Sequence, residues 1–157
     1  MFSIVIPTYN NIQYLKILLL SLKKNSVYNH EIILHVNEGN DGTLDFVKDQ
    51  KIKHTYTKNN VGLCTAINLA AKKANTNYIL YSHDDMYFCP EWDIHLINEV
   101  NKIGHDKFYL SAVLIGYLEH IRFNCGDTIN EFNEDKLLKN YKKKIFMIIK
   151  VLTLLLI

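Results

Sequence analysis

The stretch Tyr78-Ile79-Leu80-Tyr81-Ser82-His83-Asp84-Asp85-Met86 decides how this chain is read. It opens as a short apolar run with the length and aromatic content of a strand, and it ends in two adjacent carboxylates. A buried strand with Asp84 and Asp85 at its carboxyl end would aim both acids into the crevice where open α/β sheets take their ligands. Adjacent carboxylates repel, so such a pair needs a cation or hydrogen-bond donors beside it. Oxygen ligands of this kind suit Mg2+ or Mn2+, ions that commonly bridge to phosphates. Taken alone, an Asp-Asp pair is more often a solvated acidic turn, so the weight falls on the rest of the chain.

Upstream, Phe2-Ser3-Ile4-Val5-Ile6 reads as a buried strand closed by Pro7, since proline cannot continue a central ladder. Thr8-Tyr9-Asn10-Asn11 follows as a loop of helix-capping residues. Tyr14, Leu15, Leu18, Leu19 and Leu22 then recur at helical spacing as far as Lys23-Lys24-Asn25-Ser26. Glu31 to Val36 is a second strand, Asn37 to Thr43 a glycine-bearing loop, and Thr43 to about Lys48 a short helix. Ile52 to Tyr56 is a third, more polar strand nearer an edge. After the turn at Lys58 to Gly62, Leu63 to Ala74 has helical periodicity.

Beyond the acidic pair, Cys89-Pro90-Glu91 marks a helix start, and Trp92, Ile94, Leu96, Ile97 and Val100 supply its apolar positions. Phe108 to Ile115 is a fifth strand. Strands alternating with helices predict an α/β domain built on a mainly parallel open sheet with helices on both faces. That domain is expected over residues 1–135, with 136–157 as a basic and then apolar tail. Tyr81 and Trp92 read as core aromatics.

The chain has 157 residues, of which 48% are hydrophobic and 22% charged, enough to bury one core. A formal net charge of +2, with no basic stripe in the first 135 residues, argues against a nucleic-acid binder. Cys64, Cys89 and Cys125 are odd in number and contain no CxxC pair, which fits neither a disulfide framework nor structural zinc and points to a reducing cytosol. The run after Met1 is too short for a signal peptide and is stopped by Pro7. At the other end, Lys142-Lys143-Lys144 precedes a nearly all-apolar run from Ile145 to Ile157, shorter than the roughly 20 residues that span a bilayer. Three readings of that run stay open: a packed terminal helix, a peripheral contact on the inner face of a membrane, or the start of a longer segment.

Three polar loops now stand at the carboxyl ends of three strands, and the motifs they carry resemble those of family 2 glycosyltransferases, which have the GT-A fold. Ile4-Val5-Ile6-Pro7-Thr8-Tyr9-Asn10 matches the family's opening strand and loop almost letter for letter. Val36-Asn37-Glu38-Gly39-Asn40-Asp41-Gly42-Thr43 resembles its second motif, one residue short and with Asn37-Glu38 where Asp-Asp is usual. Asn60-Val61-Gly62, followed by Ala66, Asn68 and Ala74, resembles the next helix start, and His83-Asp84-Asp85 stands where the family carries its metal-binding acids. The resemblance covers about residues 2–95.

The resemblance implies a nucleotide-diphospho-sugar donor, Mn2+ or Mg2+, and transfer with inversion to an acceptor hydroxyl of unidentified type (glycan, lipid-linked or protein). In that scheme Asp85 binds the metal, Asp84 accepts from ribose or from a metal-bound water, and Glu38 accepts from the base. Pro7, Thr8 and Tyr9 wall the nucleoside, and Asn60 either adds a polar contact or only shapes its turn. Only 72 residues follow Asp85, so the acceptor half is expected to be incomplete. Glu134, in Glu131-Phe132-Asn133-Glu134-Asp135, is the candidate base, beside a plainer reading as a helix-capping turn. Two rival readings are a donor-binding module without transfer, and a metal-dependent phosphohydrolase using His83, Asp84, Asp85 and His95.

Overall fold

In the computed structural model, residues 1–111, 125, 126, 128–143 and 150–152 are described. The chain divides into two compact units, Met1–Asp93 and Ile94–Ile157. The first holds a parallel sheet of four strands, β1 (Ser3–Tyr9), β2 (Glu31–Asn37), β3 (Lys53–Thr57) and β4 (Ile79–Tyr81), in the order β3-β2-β1-β4. The crossovers are α1 (Ile12–Asn25), α2 (Thr43–Asp49) and α3 (Leu63–Ala71). Helix α4 (Trp92–Ile103) begins at the end of this unit.

Strand order fixes where a ligand can sit. From β1 the chain steps outward to β2 and β3, then returns past β1 to β4, so the direction of winding reverses between β1 and β4. Right-handed crossovers place α1 and α2 on one face and α3 on the other. The reversal opens a crevice at the carboxyl ends of β1 and β4. Period-two alternation supports the same layering. Val5 and Ile33, paired in register, pack with Ala70 of α3, flanked by Ile67, Ala71 and Ala74. Ile4, Ile6, Leu34 and Val36 point to the opposite face and are fully buried, as are Leu15 and Leu18 of α1.

Two expectations change. Strand β1 does not stop at Pro7, which lies inside it opposite His35. The Ser3 N–H donates to the Tyr78 carbonyl and the Val5 carbonyl accepts from the Ser82 N–H, so odd-numbered residues of β1 bond toward β4. The β4 ladder ends at Val5 opposite Tyr81, and the N–H that Pro7 lacks would have faced a position beyond that end. Strand β4 is three residues long and ends the sheet, with Ile79 53% and Tyr81 40% exposed, so it is not the buried strand that its composition implies. Trp92, by contrast, is buried.

The amino end of the sheet is tied by Glu31. Its carboxylate accepts from Ser3 Oγ (2.6 Å), Lys53 Nζ (2.6 Å) and both nitrogens of Asn75 (2.9 and 3.0 Å), drawing together β1, β2, β3 and the turn before β4. Hydrogen bonds from Lys53, Ser3 and Asn75 outweigh burial and hold the Glu31 carboxyl at about 2.

In the second unit, β5 (Tyr109–Ser111) and β6 (Lys150–Leu152) form an antiparallel pair, and α5 spans Glu134–Lys143. The remainder of the expected strand from Phe108 to Ile115 and most of the apolar tail lie outside the described residues. Among those described, no helix is long and apolar enough to cross a membrane.

Candidate functional site

The three loops foreseen at the carboxyl edge meet around residues 10–12, where β1 turns into α1. Asn10 adopts a left-handed backbone (φ 47°), which asparagine tolerates better than most residues. Its Oδ1 accepts from the Asn40 N–H at 2.8 Å, and its Nδ2 donates to Glu38 Oε2 at 3.4 Å. Asn40 Nδ2 donates to the same oxygen at 3.3 Å. Glu38 is itself left-handed (φ 59°), held by its N–H on the Thr57 carbonyl at 2.9 Å. Its neighbour Gly39 (φ 74°) is packed so closely that an added Cβ would lie 2.8 Å from Val36 Cγ1 and 2.9 Å from Leu44 Cβ.

Asn11 stands at the cap position of α1 but makes no cap hydrogen bond with its side chain. That side chain donates instead to Asp84 Oδ1 at 3.0 Å. The helix end is capped from another loop: the Ile12 N–H donates to Asp41 Oδ2 at 2.8 Å, while Asp41 Oδ1 accepts from the Thr43 N–H (3.1 Å) and hydroxyl (2.6 Å). Burial pushes the Asp41 carboxyl up, but these bonds outweigh it and leave the group below its ordinary value. One carboxylate thus joins the starts of α1 and α2.

The acidic pair is split in environment. Asp84 is partly buried and bonded to Asn11, whereas Asp85 is exposed with no hydrogen bond or ion pair among the described residues. Both charges, after burial as the main cause, raise the pKa of the nearby Tyr81 phenol, whose oxygen lies 3.0 Å from His83 Nε2. The chain after the pair is fixed remotely: the Phe88 N–H donates to Ser21 Oγ, Asn25 Nδ2 to the Phe88 carbonyl, and Trp92 Nε1 to Ser26 Oγ. Asp93 Oδ2 accepts from the Val27 and Tyr28 N–H groups and lies 3.0 Å from His30 Nε2. His30 Nδ1 already accepts from the Phe2 N–H, so Nε2 carries the proton and donates to Asp93.

Of the other expected residues, Pro7 and Thr8 are buried, and Thr8 Oγ1 has no partner among the described residues. Tyr9 is half exposed. Asn60 Oδ1 accepts from the Gly62 N–H at 2.9 Å, so its side chain shapes the turn before α3. Glu134 opens α5 in the second unit. The structure gathers Glu38 and Asp84 around residues 10–12, with Asp85 next in the chain.

Residue reading missed Asn10, Asn11, Asn40 and Asp41 as the groups that orient these acids. It also missed a directed relay behind them. His35 is fully buried, which lowers its pKa, and contacts Thr55 Oγ1 (2.8 Å) and Thr57 Oγ1 (3.1 Å). The Thr57 hydroxyl donates to Asn37 Oδ1, which also accepts from the Val61 N–H. With its proton spent there, Thr57 accepts from His35 Nε2–H, and Thr55 must donate to Nδ1.

The profile of the family described as Glycosyl transferase family 2 matches residues 3–155, and the chain belongs to that family. A glycosyltransferase of Rickettsia prowazekii is 31% identical over 141 residues, which cover 86% of this chain and 43% of the relative. A glycosyltransferase of Haemophilus influenzae is 32% identical over 88 residues, covering 53% of this chain and 35% of the relative. The chain thus spans less than half the length of these curated relatives. Among solved structures, S. aureus TarS 1–349 in complex with UDP is 26% identical with a TM-score of 0.58, over 64% of this chain and 32% of that one. The mannosyltransferase PcManGT of Pyrobaculum calidifontis, in complex with GDP-Man and Mn2+, is 19% identical with the same TM-score, over 72% and 35%. That likeness shows the fold, which is the GT-A arrangement expected from the motifs.

Proposed function

We propose that this chain binds a nucleotide-diphospho-sugar and serves in transferring the sugar to an acceptor hydroxyl, with inversion at the anomeric carbon. The observation that carries the reading is the gathering of Glu38 and Asp84 around residues 10–12, with Asp85 following, where the sheet's winding reverses. The solved relative holding UDP supports a nucleotide in this crevice.

Glu38 accepts from the base, and the exposed Tyr9 ring walls the nucleoside. The donor set also fits a divalent cation. Asp84 and Asp85 are hard oxygen ligands at an open mouth, and among the described residues no cluster of three or more His, Cys, Asp or Glu forms a closed cage. Two carboxylates with the remaining ligands from phosphates and water is how Mg2+ or Mn2+ is usually held. Such an ion would neutralise charge on the departing diphosphate. Asn11 keeps Asp84 from swinging away, and Asp85 is left to meet the ion. The same absence of a cluster counts against the phosphohydrolase reading with His95. The acceptor's proton needs a general base, for which Glu134 is the candidate on sequence alone.

Calorimetric titration with UDP, GDP and dTDP, with and without Mn2+, tests the donor site. Metal-dependent binding of one nucleotide, lost in Asp85→Ala, is the expected result. Failure of all of them to bind the intact chain would sink the reading. A donor that binds but releases no nucleotide when acceptors are supplied would leave a binding module.

A further inference from the structure

Given that donor-site reading, on which this inference rests, we propose that the site selects uracil-type bases, so that the donor is a uridine or thymidine diphospho-sugar rather than a guanosine or cytidine one. The argument is the order of hydrogen-bonding groups around Glu38. Asn10 cannot flip its amide freely, because the Asn40 N–H takes Oδ1 at 2.8 Å and so leaves Nδ2 directed at Glu38. The Asn40 amide is fixed by the same logic, since a carboxylate accepts and cannot donate. Both Nδ2 groups spend one N–H on Glu38 Oε2, and each keeps a second. Oε1 takes no hydrogen bond among the described residues. The site therefore offers one acceptor flanked by two donors.

The imide edge of uracil or thymine is the complement: one N–H between two carbonyl oxygens. Cytosine puts a lone pair where that N–H would be, facing Glu38 with an acceptor. Guanine presents one carbonyl and two adjacent N–H donors. It would need both carboxylate oxygens, and Oε2 is already engaged, while its amino group would meet an asparagine donor. A site whose polar groups are left unpaired by the wrong ligand discriminates strongly. The left-handed backbones of Asn10 and Glu38 set this triad on one short arc, and Gly39 beneath it leaves no room for another arrangement.

The test ranks UDP, dTDP, CDP and GDP against the intact chain in the presence of Mn2+, by calorimetry or thermal shift. UDP or dTDP is expected to bind at least about tenfold more tightly than CDP and GDP. Glu38→Gln is expected to weaken UDP by about tenfold and bring the UDP-to-CDP ratio close to one, because an amide can turn either group inward. GDP or CDP binding as tightly as UDP overturns the base assignment while leaving a nucleotide site in place. UDP preference unchanged in Glu38→Gln also overturns it, because selection would then come from other groups. Binding of no nucleotide overturns the donor site itself.

Discussion

Replacing Gly39 by alanine puts the site's scaffold to a quantitative test. Two terms add. A non-glycine residue in the left-handed region at φ 74° costs roughly 1–2 kcal/mol. The new methyl would also sit 2.8 Å from Val36 Cγ1, 2.9 Å from Leu44 Cβ and 3.0 Å from Leu44 N. Val36 is fully buried and one of these atoms is backbone, so relief needs movement of packed groups, at roughly 1–3 kcal/mol. Alanine recovers about 0.4–1 kcal/mol by restricting the unfolded chain. The net loss is about 2–4 kcal/mol. Gly42→Ala is the control, because it shares the positive φ (93°) but meets only Ile12 Cδ1, at an ordinary 3.7 Å. It should lose about 1 kcal/mol or less. Urea unfolding followed by fluorescence of Trp92, the chain's one tryptophan, reads both variants against the parent. The melting temperature of Gly39→Ala should fall by very roughly 5–15 °C. Equal losses in the two variants would refute the packing argument, since they differ chiefly in what the methyl touches.

Three further outcomes follow from the hydrogen bonds. Glu31, held at about 2 in the folded chain against an ordinary 4.5, contributes stability that is complete above the ordinary value and is lost as pH falls toward 2. Urea midpoints measured from pH 5 downward should therefore drop less steeply in Glu31→Gln than in the parent. Asp93→Ala strands the Val27 and Tyr28 N–H groups and the His30 Nε2–H, and should cost about 3 kcal/mol in the same unfolding assay, with Asp93→Asn losing less because its carbonyl still accepts. Thr57→Val cuts the relay between His35 and Asn37 whereas Thr55→Val leaves that end intact, so hydrogen exchange at the Val61 amide should quicken in the first variant alone.

Much of the fold could be read from spacing. The leucines of α1, the apolar run of β2 and the alanines of α3 each fall within a few residues of their elements, because periodicity records which side of a segment is buried. Pro7 misled because a proline's effect depends on which neighbour its missing N–H would face, and that depends on where β4 stops. Strand β4 misled because an apolar sequence does not say whether a sheet continues beyond it. The acids of the site were legible as motif letters. The asparagines were not: Asn11 has the composition of a cap, yet its amide goes to Asp84 while Asp41, from another loop, does the capping. Such exchanges are decided by loop contact across some thirty to seventy residues, which no local pattern encodes. His30 and His35 were passed over for the same reason, since a lone histidine carries no sign of what surrounds it.

The sheet order also sets a timetable. Strand β1 is synthesised first and lies inside the sheet, but the partner for its outer edge, β4, is among the last parts of the unit to leave the ribosome. Until then β1 can pair only with β2, and its other ladder stays open, a template for any extended segment nearby. The base-binding end of the crevice can assemble from β1, β2 and β3 alone. Its acidic end arrives with β4, and is sealed only when Phe88, Trp92 and Asp93 dock on the far end of α1. A nascent chain would thus be able to hold a nucleoside before it could hold a diphosphate.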